Sequence, residues 1–320
     1  MKGRRFVWSD PRIIELSKQF VATTDEVWRL DAQNDLDCLF FQKMADKGHC
    51  GKREHGKSRQ GIYVFTADGE FLSSINNLSA DLVLKTLKDG LMKWKQLSEE
   101  DRKPEKVGVE LEPKHRLEYF YPHDGLVFTV FSRDLKVDPS PKSQRLPFWN
   151  RDSAWFSKHE TEQLVPENVS AGDTFDFPEF FVARLSKLHL VDAVKGQTEA
   201  FSNDEISGSR LHAVVVSINE NKIDLKILGN TIGAHKIGRY KRGVKTRLLG
   251  TATFDASEKR FAKFEFVALG KRWGETRFND RRKQLEPSPV GYSFEMAKPE
   301  ESIIVPGIFW SYDAKWFSPR

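Results

Sequence analysis

RQGIYVFTADGEFLSSINN, residues 59–77, holds the strongest local signal in the chain. Ile62 to Phe65 is an unbroken run of β-branched and aromatic residues, the composition of a buried strand. Ala67-Asp68-Gly69 then reads as a tight turn, because Asp-Gly tolerates the positive φ that short hairpins require. Phe71-Leu72 opens the return strand. Two residues past this stretch, Ser79 is placed to cap a helix. Leu84, Leu87, Leu91 and Trp94 follow at spacings of three and four, which predicts one apolar helical face.

Upstream, Asp10-Pro11 is a good helix start, since Asp caps and Pro fits the first turn. Ile13, Ile14 and Leu16 supply its apolar side. Phe20-Val21-Ala22 predicts a short strand. Asp37 is expected to cap a helix carrying Leu39, Phe40, Met44 and Ala45, closed by Gly48. The predicted order is therefore helix, strand, helix, hairpin, helix. That order, with RQGIYVFTADGEFLSSINN at its centre and DPRIIELSKQFV at its start, resembles the C-terminal part of the thioredoxin fold from about Asp10 to Leu97. The whole chain also resembles a group of uncharacterised bacterial proteins that carry such a domain ahead of a β-rich one.

The resemblance implies a domain without the family's redox chemistry. Dithiol exchange needs two thiols two residues apart at a helix N-terminus, where the helix end lowers the first thiol's pKa and the second resolves the mixed disulfide. In thioredoxins that motif would precede Asp10, where this chain has nine residues and no cysteine. The position of the family's cis-proline holds Arg59-Gln60-Gly61.

The chain has 320 residues, enough for two domains, and its 39% hydrophobic and 12% aromatic content is sufficient for packed cores. The segment from Ser98 to Lys114 is charge-rich, contains Pro104 and Pro113, and has no periodicity. We therefore expect a thioredoxin-like domain over 1–98, a linker over 99–113 and a β-rich domain over 114–320. In the last of these, Leu126 to Phe131 predicts a strand and Ser157 with Glu160 a capping box. Pro178 is expected in the first turn of a helix bearing Phe181, Leu185 and Leu188. His212–Ile218 with Ile223–Leu228, and Thr246–Phe254 with Phe261–Leu269, read as two hairpins. The expected fold class is α/β plus β, the second domain being a mostly antiparallel sandwich or barrel with a few helices.

A net charge of +5 permits contact with nucleic acid without requiring it. No stretch of 18 apolar residues occurs, and the basic N-terminus is not followed by an apolar signal region, so no membrane contact and a cytoplasmic setting are expected. The two cysteines, Cys38 and Cys50, suit a reducing compartment.

Several constellations carry possible chemistry. Gly51-Lys-Arg-Glu-His-Gly56-Lys57-Ser58 spells the P-loop pattern, but a P-loop needs a strand before it and a helix after it, and here the predicted order is reversed. Cys38, His49, Cys50 and His55 are zinc-type ligands at spacings unlike the common zinc motifs, so no metal or other cofactor is expected. Cys50 lies among Lys47, Lys52 and Arg53, which favour a thiolate, making Cys50 the candidate for a single-thiol redox protein with Cys38 as the weaker one. Residues 235–247, HKIGRYKRGVKTR, form the densest basic run: Lys236, Arg239, Lys241, Arg242, Lys245 and Arg247 surround Tyr240. Cations interleaved with an aromatic suit phosphate contact plus base stacking. Lys271-Arg272-Trp273 and Arg277 to Lys283 are expected to extend that patch. His189 and Asp192 are spaced to face each other on a helix. The leading expectation is a non-catalytic binding or scaffold protein with an unknown protein partner. A single-thiol redox protein and a nucleic-acid binder are the alternatives.

Overall fold

The computed structural model describes residues 7–52, 58–102, 117–135, 149–236, 238 and 240–312. The chain divides into two compact units, Met1–Tyr119 and Phe120–Arg320. The division falls after the expected linker, most of which, with residues 103–113, lies outside the described residues.

In the first unit, α1 (Pro11–Ser17) starts where capping chemistry predicts, with the Asp10 carboxylate accepting from the Arg12 amide at 2.9 Å. The strand expected at Phe20–Ala22 does not form: these residues lead into an unanticipated α2 (Val27–Ala32), and Val21 is fully exposed. A strand holds only where a neighbour takes its backbone hydrogen bonds, and among the described residues none pairs here. α3 (Leu36–Ala45) is capped by Asp35, which accepts from the Cys38 amide at 3.1 Å, and not by Asp37. Asp37 instead stands in the first turn, 3.4 Å from the Arg29 guanidinium.

β1 (Ile62–Phe65) and β2 (Phe71–Ile75) form the expected antiparallel hairpin, with Ile62 opposite Ile75. The turn closes through the Thr66 amide donating to Glu70 O at 3.0 Å, with Gly69 at φ 94°. α4 (Ala80–Gln96) is capped by Ser79. It buries Val83, Leu87 and Gly90, a line rotated from the expected Leu84–Trp94 stripe, and Trp94 is left 38% exposed. Gly90 accounts for the rotation. A Cβ there would meet Ser73 Oγ and Val64 Cγ1 at 2.8 Å, so the helix backbone lies directly on the hairpin. Val7, Ile13, Val64, Leu72, Val83 and Leu87 form this unit's core.

The second unit is built on one eight-stranded antiparallel sheet, and not on a two-sheet sandwich. Its strands are β3 (Leu126–Asp134), β4 (Trp149–Phe156), β5 (Thr174–Asp176), β6 (Arg210–Asn219), β7 (Lys222–His235), β8 (Arg242–Asp255), β9 (Arg260–Gly274) and β10 (Ser288–Met296). They lie in the order β4-β3-β10-β9-β8-β7-β6-β5. The predicted hairpins are real but longer than the apolar runs, because alternating polar residues on the outer face extend each strand. The capping box of Ser157 and Glu160 starts the short α5 (Lys158–Glu162). α6 (Glu179–Arg184) runs into a π-helical turn over Leu185–His189. Phe181 and Leu185 pack against the inner sheet face with Phe128, Phe264, Phe266 and Phe294. Rings of Phe266 and Phe294 stack with centroids 4.2 Å apart.

Candidate functional site

The basic run 235–247 is not a loop. β7 extends to His235 and β8 begins at Arg242, so only 236–241 connect them. Lys236 and Lys241 are exposed there and Tyr240 is half-buried, while Arg239 lies outside the described residues. Within β8, Val244, Thr246 and Leu248 point inward, which sends Lys245 and Arg247 to the outer face. Pairing then assembles a site across four other strands. Lys245 is opposite Lys271 on β9. The Arg247 row continues through Leu269 and Gly291 to Arg133 and Trp149. The adjacent row runs Leu249, Val267, Ser293, Phe131, Arg151.

The outer face is therefore banded. An apolar row with Leu249 (53% exposed) and Val267 (43%) borders the row of Arg247 and Arg133, with the Lys245–Lys271 row one step beyond. On its other side stands a row containing Glu265 and Glu295, with Lys263 held on Glu265 at 2.7 Å. Among the described residues, Arg133, Lys245, Arg247 and Lys271 have no ion-pair partner, whereas Arg210 at the end of their band is held by Asp176 at 2.8 Å. Phe131 and Trp149 are exposed neighbours with ring centroids 5.9 Å apart, and the Arg151 guanidinium lies 5.9 Å from the Phe131 ring. Sequence reasoning missed Arg133, Phe131 and the pairing of Lys245 with Lys271, since these residues are distant along the chain. The alternation Val244-Lys-Thr-Arg-Leu248 was the signal that the basic run is a strand.

Three arginines expected on the basic patch point the other way. Arg242 is buried, with Nη2 donating to Ala200 O at 3.1 Å, its guanidinium 4.4 Å from the Phe201 ring and Nη1 without an acceptor. Burial pulls its pKa down. Arg281 is wholly buried, its guanidinium bridging Asp192 (2.7 and 2.8 Å) and Asp134 (2.8 and 2.9 Å). Arg272 is buried beside it, Nε 3.9 Å from Asp134. These groups hold the fold and offer no surface to a ligand.

His189 and Asp192 do not face each other as their spacing suggested. The π-helical turn separates them: His189 Nδ1 meets Asp152 at 3.0 Å and Nε2 the Tyr312 hydroxyl at 2.9 Å, while Asp192 takes Arg281. A small niche beside Asp152, with room for about one water, is already filled by the pairings of its own side chains. In it Glu301 binds Arg151 and accepts from Thr129 at 2.8 Å, and the Gly307 amide donates to Asp152 at 2.7 Å.

The first unit's candidates are scattered. Cys38 is buried, receives Arg29 Nη1 at 3.3 Å and donates to Asp35 at 3.3 Å; burial, then the Asp35 contact, push its thiol up to about 12. Cys50 is half-buried, with Sγ 3.2 Å from the Tyr63 hydroxyl. Both thiols are free. Of the P-loop pattern, Gly51 follows α3 and Ser58 precedes β1, so a helix lies before and a strand after; Gly56 and Lys57, like His55, lie outside the described residues. No group of three or more metal-type ligands occurs among the described residues, and the His49 ring is engaged by Ser74 Oγ at 3.0 Å and Gln60 O at 3.2 Å. No described helix is long and apolar enough to cross a membrane. Comparison with known proteins returned no matching family model, no matching curated protein and no matching solved structure.

Proposed function

We propose that this chain is a non-catalytic binding protein that docks a polyanionic partner on the outer face of its eight-stranded sheet. One observation carries the reading: strand pairing gathers Lys245, Arg247, Lys271 and Arg133 into adjacent rows, and no described carboxylate neutralises them. Unpaired cations fixed on a rigid sheet attract an anionic chain and release its counterions. The first unit is read as a redox-inactive thioredoxin-like module, a reading supported by its hairpin with α4 laid across it and by the buried Cys38. Two free thiols suit a cytoplasmic setting.

The test is retention on heparin and binding of polyphosphate across a salt series. Wild type is expected to lose affinity steeply as salt rises. The variant Lys245→Glu/Arg247→Glu/Lys271→Glu is expected to elute far earlier with its melting temperature preserved. Equal retention of the two proteins overturns the reading. Insulin reduction that disappears in Cys50→Ser overturns the non-catalytic part.

A further inference from the structure

We infer that the polyanion is a single-stranded nucleic acid, laid across β8, β9, β10 and β3 with its bases against Phe131 and Trp149. This rests on the polyanion-binding reading above and goes beyond it by naming the chemistry of the partner. A sulfated or phosphorylated chain without rings needs only the cations. The outer face offers more than cations. Phe131 and Trp149 are 37% and 49% exposed and neighbours of each other, Trp149 in the row of Arg133 and Arg247 and Phe131 in the row beside it. Large aromatic rings stand in water only at a free-energy cost, and this pair is not drawn into either core cluster of the unit.

The layout matches how single strands are held, with a basic track for phosphates and rings that stack on bases of any sequence. Lys245, Lys271 and Arg247 form the track at the β8–β9 end, and Arg133 continues it beside Trp149. Neighbouring strands lie about 4.8 Å apart, so the path from Arg247 to Arg133 covers roughly 14 Å, enough for a few nucleotides. Leu249, Val267 and Leu269 make an apolar floor beside the track at its β8–β9 end, on which bases can lie flat. A duplex keeps its bases stacked on each other and exposes none to these rings. It is also read by elements that enter a groove, which a broad sheet face does not do.

The test measures fluorescence anisotropy of a labelled oligonucleotide of about 16 residues, near the site size of a single-strand binding fold. Oligo(dT) and oligo(U) distinguish DNA from RNA, with the matched duplex and polyglutamate as contrasting polyanions. We expect the full chain to bind one of the single strands at least about tenfold more tightly than the duplex or polyglutamate. Phe131→Ala/Trp149→Ala is expected to weaken that binding by about tenfold or more, the loss of stacking under at least one base, while leaving heparin retention unchanged. Lys245→Glu/Lys271→Glu is expected to weaken both. Heparin retention that depends on the lysines, combined with oligonucleotide binding indifferent to the aromatic variant, overturns this inference and leaves the polyanion reading standing. Failure to bind any polyanion overturns both. Unfolding of the aromatic variant is read by its melting curve, and Phe131→Leu/Trp149→Leu then serves in its place.

Discussion

The two faces of the large sheet use the same residue type in opposite ways. On β8, Arg242 turns inward and Arg247, five positions on, turns outward. On β9, Arg272 is buried and its neighbour Lys271 is exposed. The buried arginines are structural charges whose value depends wholly on their acceptors: Arg281, in the β9–β10 connection, has two carboxylates, whereas Arg242 on β8 has one carbonyl and an aromatic ring. Among the described residues, the outward cations Arg133, Lys245, Arg247 and Lys271 hold no ion pair that folding would miss. A basic residue in a strand is thus a binding group or a scaffold group according to its parity, and local charge density does not distinguish the two.

The largest effect is expected from removing a buried charge that has partners. Arg281→Met leaves Asp134 and Asp192 without their cation, and should lower unfolding free energy by about 3–5 kcal/mol, measured by the urea midpoint. A loss below 1 kcal/mol would break the distinction drawn between the faces.

Burial sets the next effect, in the first unit. Folded Cys38 keeps its proton to about pH 12, while the unfolded chain releases it near the ordinary 9.0. Its contribution is therefore fully present below pH 9 and declines as pH rises toward 12. The difference in stability between wild type and Cys38→Ala should shrink by roughly 3 kcal/mol over that window, seen in chemical denaturation at stepped pH. In the native protein at neutral pH, half-buried Cys50 should be alkylated well before Cys38.

Arg242→Met sharpens the contrast within the inner face. It removes a guanidinium that has an unpartnered nitrogen and replaces it with an apolar chain of similar length, so stability should change by no more than about 1 kcal/mol. The smallest effect on folding belongs to the outer face. Lys245→Gln/Lys271→Gln should shift stability by no more than about 0.5 kcal/mol. The same pair should reduce the salt dependence of single-strand binding, each lost phosphate contact lowering the slope by about 0.7.

The amino-acid sequence by itself determined the local features whose physics is local. The Asp68-Gly69 turn, the Ser79 and Asp10 caps, the Ser157–Glu160 box and the two long hairpins all formed where turn chemistry, capping and alternation placed them. Alternation along Val244 to Leu248 also contained the rule that Lys245 and Arg247 share a side. Tertiary structure decided the rest. Which side of β8 is covered, and hence that Arg242 is buried against Ala200 and Phe201, depends on residues brought from distant segments. Arg281 finds Asp134 across 147 positions and Asp192 across 89, separations over which no spacing rule acts. The site arose in the same way, because hydrogen-bonded register aligns Arg133, Gly291, Leu269 and Arg247 in one row, and register is a property of paired backbones that no single segment holds.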